Sequence, residues 1–267
     1  MINITPSTIL FSLGSFSVKT WGTIVAIGMI IGILLMLIEA KKRKLYDVSV
    51  SLLAYMMILG LVFGRIAYIL VNLPEFNTLL SYFAIWNGGI ISWGVLLGII
   101  AGAAVFKLIS KLKYPDFLRL LDMFSPYLIL AIGIGRIGCF LRGCCYGLSS
   151  SLPWAVSYAQ EVPVHPTQIY HFIADMIIFA ILLKLYNKKK KIGLNKLTSK
   201  FSFFKKQGTI FLLFLILFAA ERFFIDFLRF HPLNEYVYGL SITQWMFSII
   251  FIVAFVILKI KENKKNK

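Results

Sequence analysis

The chain has 267 residues, 59% of them hydrophobic and 15% charged, with a mean hydropathy of +0.84. A soluble globular domain does not carry that composition, so the chain reads as a polytopic membrane protein. The formal charge of +17 raises nucleic acid as a partner, but the basic residues gather in runs beside apolar stretches, and no RNA- or DNA-binding signature accompanies them. Three cysteines are too few for a disulfide framework, and the odd number leaves at least one unpaired.

In chain order, residues 1–19 are mixed enough to lie at a membrane interface. With no basic n-region or small-residue cleavage site, the first apolar run, Thr20 to Ile38, is expected to act as its own insertion signal. It ends in Lys41, Lys42, Arg43 and Lys44. A second run, Val48 to Val71, contains Gly60, Gly64 and Arg65. Asn72 to Asn87, with Pro74, Glu75 and Trp86, reads as a loop or re-entrant piece. The third run is Gly88 to Leu108 and the fourth Phe117 to Gly138, followed by a polar stretch from Arg142 to Pro166. The fifth, Thr167 to Leu185, ends in Lys188 to Lys191. A lysine-rich linker at 192–207 leads to a sixth run, Gly208 to Phe227, and a seventh, Gly239 to Ile260. A basic tail occupies 261–267. Each run is long enough to cross a bilayer as a helix. The expected fold is therefore an all-α bundle of seven transmembrane helices forming one polytopic domain over residues 1–267.

Placing the N-terminus outside puts all but six of the 28 basic residues on the cytoplasmic side. The six are Lys19, Arg65, Arg136, Arg142, Arg222 and Arg229. The positive-inside rule thus selects N-out, C-in, and the lysines need only water and anionic lipid heads as partners. Apart from Lys19, the remaining set is all arginine, near the outer halves of helices two, four and six. Charges held within a membrane imply compensation, so these arginines are expected to converge on a central polar cavity open outward or laterally. Arg222 and Arg229 lie seven residues apart on one helix face. Asp226 is spaced to pair with either, and Glu221 is adjacent. An internal salt-bridged helix that merely holds the bundle together gives the same pattern.

The most informative stretch is Gly133 to Gly147. It contains five glycines, all three cysteines, Arg136 and Arg142. Glycine allows close approach of a backbone or ligand, and a guanidinium fork suits phosphate. An arginine at the end of a membrane helix needs an anionic partner or a wet cavity, and a phospholipid headgroup meets that need. Glycines serving helix packing and a snorkelling arginine are the plainer alternative.

Gly135-Arg136-Ile137-Gly138, then Phe140 and Gly147, resembles the signature of the prolipoprotein diacylglyceryl transferase family. Further matches follow in order: Phe11 to Gly14 before Trp21-Gly22, Gly64-Arg65-Ile66-Ala67-Tyr68, and Trp86-Asn87-Gly88-Gly89. His165-Pro166-Thr167-Gln168-Ile169-Tyr170, Arg222-Phe223 with Asp226 and Arg229, and Gln244 complete the set. The resemblance implies a monomeric inner-membrane enzyme without a cofactor. It would move a diacylglyceryl group from phosphatidylglycerol to the lipobox cysteine of a preprolipoprotein signal peptide, forming a thioether and releasing glycerol phosphate. Arg136 would hold the phosphate with Gly135, Gly138, Arg65 and Arg229 around the lipid. Arg222 would stabilise the leaving group, and Asp226, standing where the family usually has Glu, would orient Arg222.

The chain also departs from the family pattern. Cys139, Arg142 and Cys144 stand where the signature has Asn, Asn and Glu. Trp93 occupies the position of a His proposed to act on the thiol, and His171 replaces a Glu. His171 or His165 is a candidate replacement base. Cys139, Cys144 and Cys145 have four readings: a loop disulfide, a metal site completed by His165, a thiolate nucleophile, or small buried residues. C-x4-C-C is not a standard zinc spacing, and no metal is expected on spacing alone. Two rivals remain open: a same-fold transferase with another donor or acceptor, and a non-enzymatic membrane thiol or metal protein.

Overall fold

The computed structural model describes residues 2–13, 16–76, 78–84, 88–158, 162–192, 206–232 and 235–263. Trp86, Asn87, residues 193–205 of the lysine-rich linker and residues 264–267 of the tail lie outside them. The helices are α1 (Thr20–Lys42), α2 (Tyr46–Val71), α3 (Leu79–Phe83), α4 (Ser92–Ile109), α5 (Tyr114–Arg142), α6 (Thr167–Ile192), α7 (Thr209–Asp226) and α8 (Ile242–Asn263). Each of the seven expected apolar runs contains a helix, although the third run is not helical at Gly88 to Ile91 nor the seventh at Gly239 to Ser241. Several helices extend beyond their apolar run into basic sequence, because lysine is a good helix former and its charge suits a helix C-terminus. Thus α1 ends on Lys41 and Lys42.

Among the described residues, five helices are long and apolar enough to cross a membrane: α1, α2, α5, α6 and α8. The chain is a multi-pass membrane protein. α4 is a shorter apolar helix, and α7 combines 18 residues with three charged ones, Glu221, Arg222 and Asp226. The fold is not purely helical. β1 (Ile2–Ile4) pairs in parallel with β4 (Val156–Tyr158), β2 (Ile9–Leu13) pairs antiparallel with β3 (Phe16–Lys19), and β5 (Tyr236–Val237) pairs with β6 (Leu240–Ser241). The β-branched and aromatic residues of segments too short to span the membrane explain these strands.

The chain forms two compact units, Leu37–Phe117 and the remainder, Met1–Met36 with Leu118–Lys267. In the first, α2 and α4 meet along glycines. A Cβ on Gly98 would lie 2.1 Å from the Leu59 carbonyl oxygen, and one on Gly102 would lie 2.5 Å from that of Tyr55. The two backbones touch directly, the arrangement that small residues permit between membrane helices. Arg65 on α2 donates Nε to the Tyr82 carbonyl (3.1 Å), Nη1 to those of Gly88 (2.8 Å) and Gly89 (3.2 Å), and Nη2 to that of Ser81 (2.6 Å). The segment following α2 is therefore gathered around one guanidinium.

In the second unit, Gly28 and Gly32 of α1 lie against α5. Their Cβ positions would fall 2.9 and 2.8 Å from the carbonyl oxygens of Ala131 and Tyr127. α5 in turn approaches α6 at Gly133, where a Cβ would meet Met176 and Asp175. At the other end of α6 and α7, the carboxylate of Asp122 (1% exposed) is an anchor. It accepts from Gly208 N (2.7 Å), Phe211 N (2.9 Å) and Lys189 Nζ (2.7 Å). One acid side chain thus satisfies orphan donors at the start of α7 and complements its dipole.

Candidate active site

α5 does not break at the glycines of the signature. It stays helical through Arg142, and Gly143 then takes a left-handed conformation (φ +70). Gly133, Gly135 and Gly138 are therefore helix positions that face neighbours. A Cβ on Gly138 would be 3.1 Å from Ile24 Cβ and 3.2 Å from the Trp21 carbonyl oxygen, so Gly138 packs against α1. Gly135 leaves ordinary room, with Val25 at 3.5 Å.

On α6, His171 and Asp175 lie one turn apart on one face. On α7, Phe218 and Arg222 do the same. The two faces meet in a buried ionic cluster. Arg222 Nη2 donates to both carboxylate oxygens of Asp175, at 3.1 and 2.9 Å, and Arg222 Nε lies 3.0 Å from Glu221 Oε2. The guanidinium stands 4.6 Å over the Phe218 ring. Glu221 Oε1 contacts His171 Nδ1. Arg222 is 4% exposed and Asp175 fully buried. Nη1 of Arg222 is buried without a hydrogen-bond partner among the described residues.

Arg136 differs. It is only partly buried, and among the described residues it has no hydrogen bond or ion pair. Its charge nevertheless acts on His171, Asp175, Glu221 and Arg222. An unengaged guanidinium therefore stands in the field of the cluster, which itself contains a second guanidinium with an unused donor. Such a pair can receive a phosphate or carboxylate.

Asp226 does not orient Arg222, contrary to expectation from the sequence. It contacts Ser241 Oγ, His231 Nε2 at 3.0 Å and Arg229 Nη1 at 3.9 Å. α6 presents a carboxylate of its own, Asp175, to Arg222 straight across the helix interface. Asp226 instead ties the end of α7 to the head of α8, where Gln244 Oε1 accepts from Ser241 N at 2.9 Å. Arg65 is occupied by loop carbonyls, as described above. Trp93, at the head of α4, is 49% exposed.

The loop after α5 is held by α6 and by the segment after α7. Thr167 Oγ1 donates to the Cys145 carbonyl (2.8 Å), and Gln168 Nε2 donates to that of Cys144 (2.7 Å). Gly147 bridges to Arg229, and Leu148 N donates to the Leu228 carbonyl at 2.9 Å. A Cβ on Gly147 would sit 2.4 Å from that carbonyl oxygen and 2.6 Å from His165 Cβ, so only glycine fits. His165 Nδ1 lies 3.3 Å from the Tyr170 hydroxyl, which accepts from Trp154 Nε1 at 2.9 Å. His165 thus belongs to an aromatic group outside the ionic cluster.

The three cysteines are free, and their Sγ atoms lie within 4.8 Å of one another. The charges of Arg229 and Arg136 act on Cys145, and Cys144 Sγ donates to the Cys139 carbonyl at 3.7 Å. The metal-type group contains sulfur only, without His165.

Sequence reasoning passed over Asp175 as an ionic partner. Its signal was present, because an acid in the middle of an apolar run is a functional hypothesis by default.

Helices of membrane length around a buried arginine–carboxylate–histidine cluster define an integral membrane protein with an ionisable centre. The family model described as prolipoprotein diacylglyceryl transferase matches residues 8–260. Relatives named phosphatidylglycerol–prolipoprotein diacylglyceryl transferase align along nearly the whole chain. The Clostridium tetani protein is 29% identical over 265 residues, covering 97% of this chain and 99% of the relative. That of Finegoldia magna is 30% identical over 257 residues (96% and 95%), and that of Clostridioides difficile 30% over 260 (96% and 96%). The chain belongs to the prolipoprotein diacylglyceryl transferase family.

Proposed function

We propose that this enzyme transfers a diacylglyceryl group from phosphatidylglycerol to the lipobox cysteine of preprolipoproteins. The thiolate sulfur attacks the glyceryl carbon, the carbon–oxygen bond to phosphate breaks, and glycerol phosphate leaves with the electron pair. Arg136 takes the phosphate, Gly135 leaves room for the lipid, and Arg222 holds charge that develops on the leaving oxygen. Asp175 and Glu221 fix Arg222, while His171, in contact with Glu221, is the candidate acceptor of the thiol proton. Arg229 adds positive charge at the same end. On this reading α1, α2 and α4 to α8 cross the inner membrane, with the N-terminus outside and the C-terminus in the cytoplasm.

The observation that carries this reading is the unpartnered Arg136 within the field of Arg222 and its carboxylates. The test incubates purified protein with phosphatidylglycerol and a lipobox peptide, and weighs the peptide by mass spectrometry. A gain equal to one diacylglyceryl group at the cysteine is expected. An unmodified peptide, with another lipid or thiol acceptor modified in its place, overturns the assignment.

A further inference from the structure

We propose that Cys139, Cys144 and Cys145 form a binding site for a soft, thiophilic cation, Zn(II) or Cu(I). Their three Sγ atoms already converge within 4.8 Å. Metal–sulfur bonds of about 2.3 Å would set three thiolates roughly 4 Å apart, a spacing within reach of small side-chain rotations.

The convergence is built into the backbone. Adjacent residues in an extended chain point to opposite sides, so Cys144 and Cys145 share one focus only because the chain twists between them. Cys145 adopts φ +62, a left-handed conformation unusual for a side-chain-bearing residue, two residues after Gly143 at φ +70. Cys144 N donates to the Cys139 carbonyl at 3.1 Å, folding the loop back onto the end of α5. The fully buried Thr167 and Gln168 then fix the carbonyls of Cys145 and Cys144 from α6. Outer-shell hydrogen bonds of this sort hold metal ligands in place.

The donor set selects the ion. Three sulfurs without a carboxylate or imidazole favour soft metals over magnesium or calcium. Any disulfide would use two thiols and leave the third idle, whereas a trigonal site uses all three. Binding exchanges three S–H protons for three metal–sulfur bonds, with no change in oxidation state. The complex carries one negative charge with Zn(II) and two with Cu(I). The positive charges of Arg229 and Arg136 reach Cys145 and offset it. A bound ion would pin the loop joining the Arg136 helix to Gly147, where the family signature supplies Asn and Glu.

The test uses full-length protein in detergent with Cd(II), whose bonds to sulfur absorb in the ultraviolet. One Cd(II) per chain is expected, with the intensity of three thiolates and displacement by Zn(II). Each single Cys→Ser substitution should weaken binding at least tenfold, and the triple variant should lose the band. A measurement on the unmutated protein removes dependence on folding of the variants. Cd(II) should protect all three cysteines from alkylation together, and a chelator should expose them together. An unchanged band in the triple variant, protection of fewer than three cysteines, or a disulfide mapped in protein freshly isolated from membranes overturns the proposal.

Discussion

Replacing Arg136 with Ala separates binding chemistry from architecture. Among the described residues, Arg136 makes no hydrogen bond or ion pair, so its removal strands no partner. It also relieves repulsion of Arg222, on which its charge acts. The folded state should therefore keep its stability to within about 0.5 kcal/mol, as for substitutions away from structural contacts. Activity should behave differently. A guanidinium about 4 Å from a phosphate contributes on the order of 4 kcal/mol at an effective dielectric constant near 20. Removing one donor to developing charge in an enzyme costs roughly 100- to 1,000-fold in rate. The expected result is a loss of that order in transfer to a lipobox peptide, with an unchanged melting temperature. Arg136→Lys should fall between, because it keeps the charge and loses the fork. The assay is the initial rate in detergent–phosphatidylglycerol micelles, run beside thermal denaturation of the same preparations. Full activity of Arg136→Ala would refute the clamp, and so would a loss of activity that merely tracks unfolding.

Asp175→Ala should destabilise the fold by ~3–5 kcal/mol, because it leaves the buried Arg222 charge without its bidentate partner, and Asp175→Asn should recover part of that loss in denaturation experiments. Asp122→Ala removes the acceptor for Gly208 N, Phe211 N and Lys189, and charge-assisted bonds of this kind imply a cost of ~2–3 kcal/mol; hydrogen exchange at the start of α7 should accelerate. Gly147→Ala drives a methyl group into the Leu228 carbonyl and His165, with a cost of roughly 1–3 kcal/mol from overpacking, read as a lower melting temperature. Burial pushes the Tyr158 phenol up to about 12 from an ordinary 10, with the Gln168 amide opposing the shift. The group releases its proton later in the folded protein than in the unfolded one, so its stabilisation is complete below pH 10 and lost as pH rises through 12. Tyr158→Phe should lack that component when the two proteins are compared across this window.

The helices were legible because a membrane crossing needs one continuous apolar run, and each of the seven runs contains a helix, five of them of membrane length. Their ends were less so, since the lysines after α1 and α6 prolong the helix while reading as loop by polarity. The glycines from Gly133 to Gly138 were ambiguous for a related reason. Glycine permits both a turn and a close helix contact, and only the neighbours of α5 decide between them. The short strands escaped notice because two to five residues carry little periodicity. In the site, Arg136 and Arg222 were readable as isolated charges in apolar sequence. The partner of Arg222 was not, because spacing along α7 favours Asp226 while packing supplies Asp175 from α6. The focus of the three cysteines was hidden as well, since C-x4-C-C reaches one point only through the left-handed turn at Cys145.

The arrangement of charge explains how two arginines can stay close together inside a membrane protein. An uncompensated buried cation is costly, and a second beside it more so. Asp175 and Glu221 compensate the charge of Arg222, which therefore remains fixed and desolvated with Nη1 free of a hydrogen bond among the described residues. Among the described residues Arg136 has no such carboxylate, and it is only partly buried. The cluster thus holds one guanidinium whose partners are protein and one that, on the proposed reading, takes its partner from the lipid. Phosphatidylglycerol carries a single phosphodiester charge, opposite in sign to the Arg136 guanidinium. A carboxylate beside Arg136 would compete with the lipid for it. The same logic accounts for His171: an imidazole there, unlike the Glu usual in the family, adds no fixed negative charge near the clamp and leaves Glu221 as its contact. On the proposed reading, Arg222 is the built part of an anion site and Arg136 the part that the substrate completes.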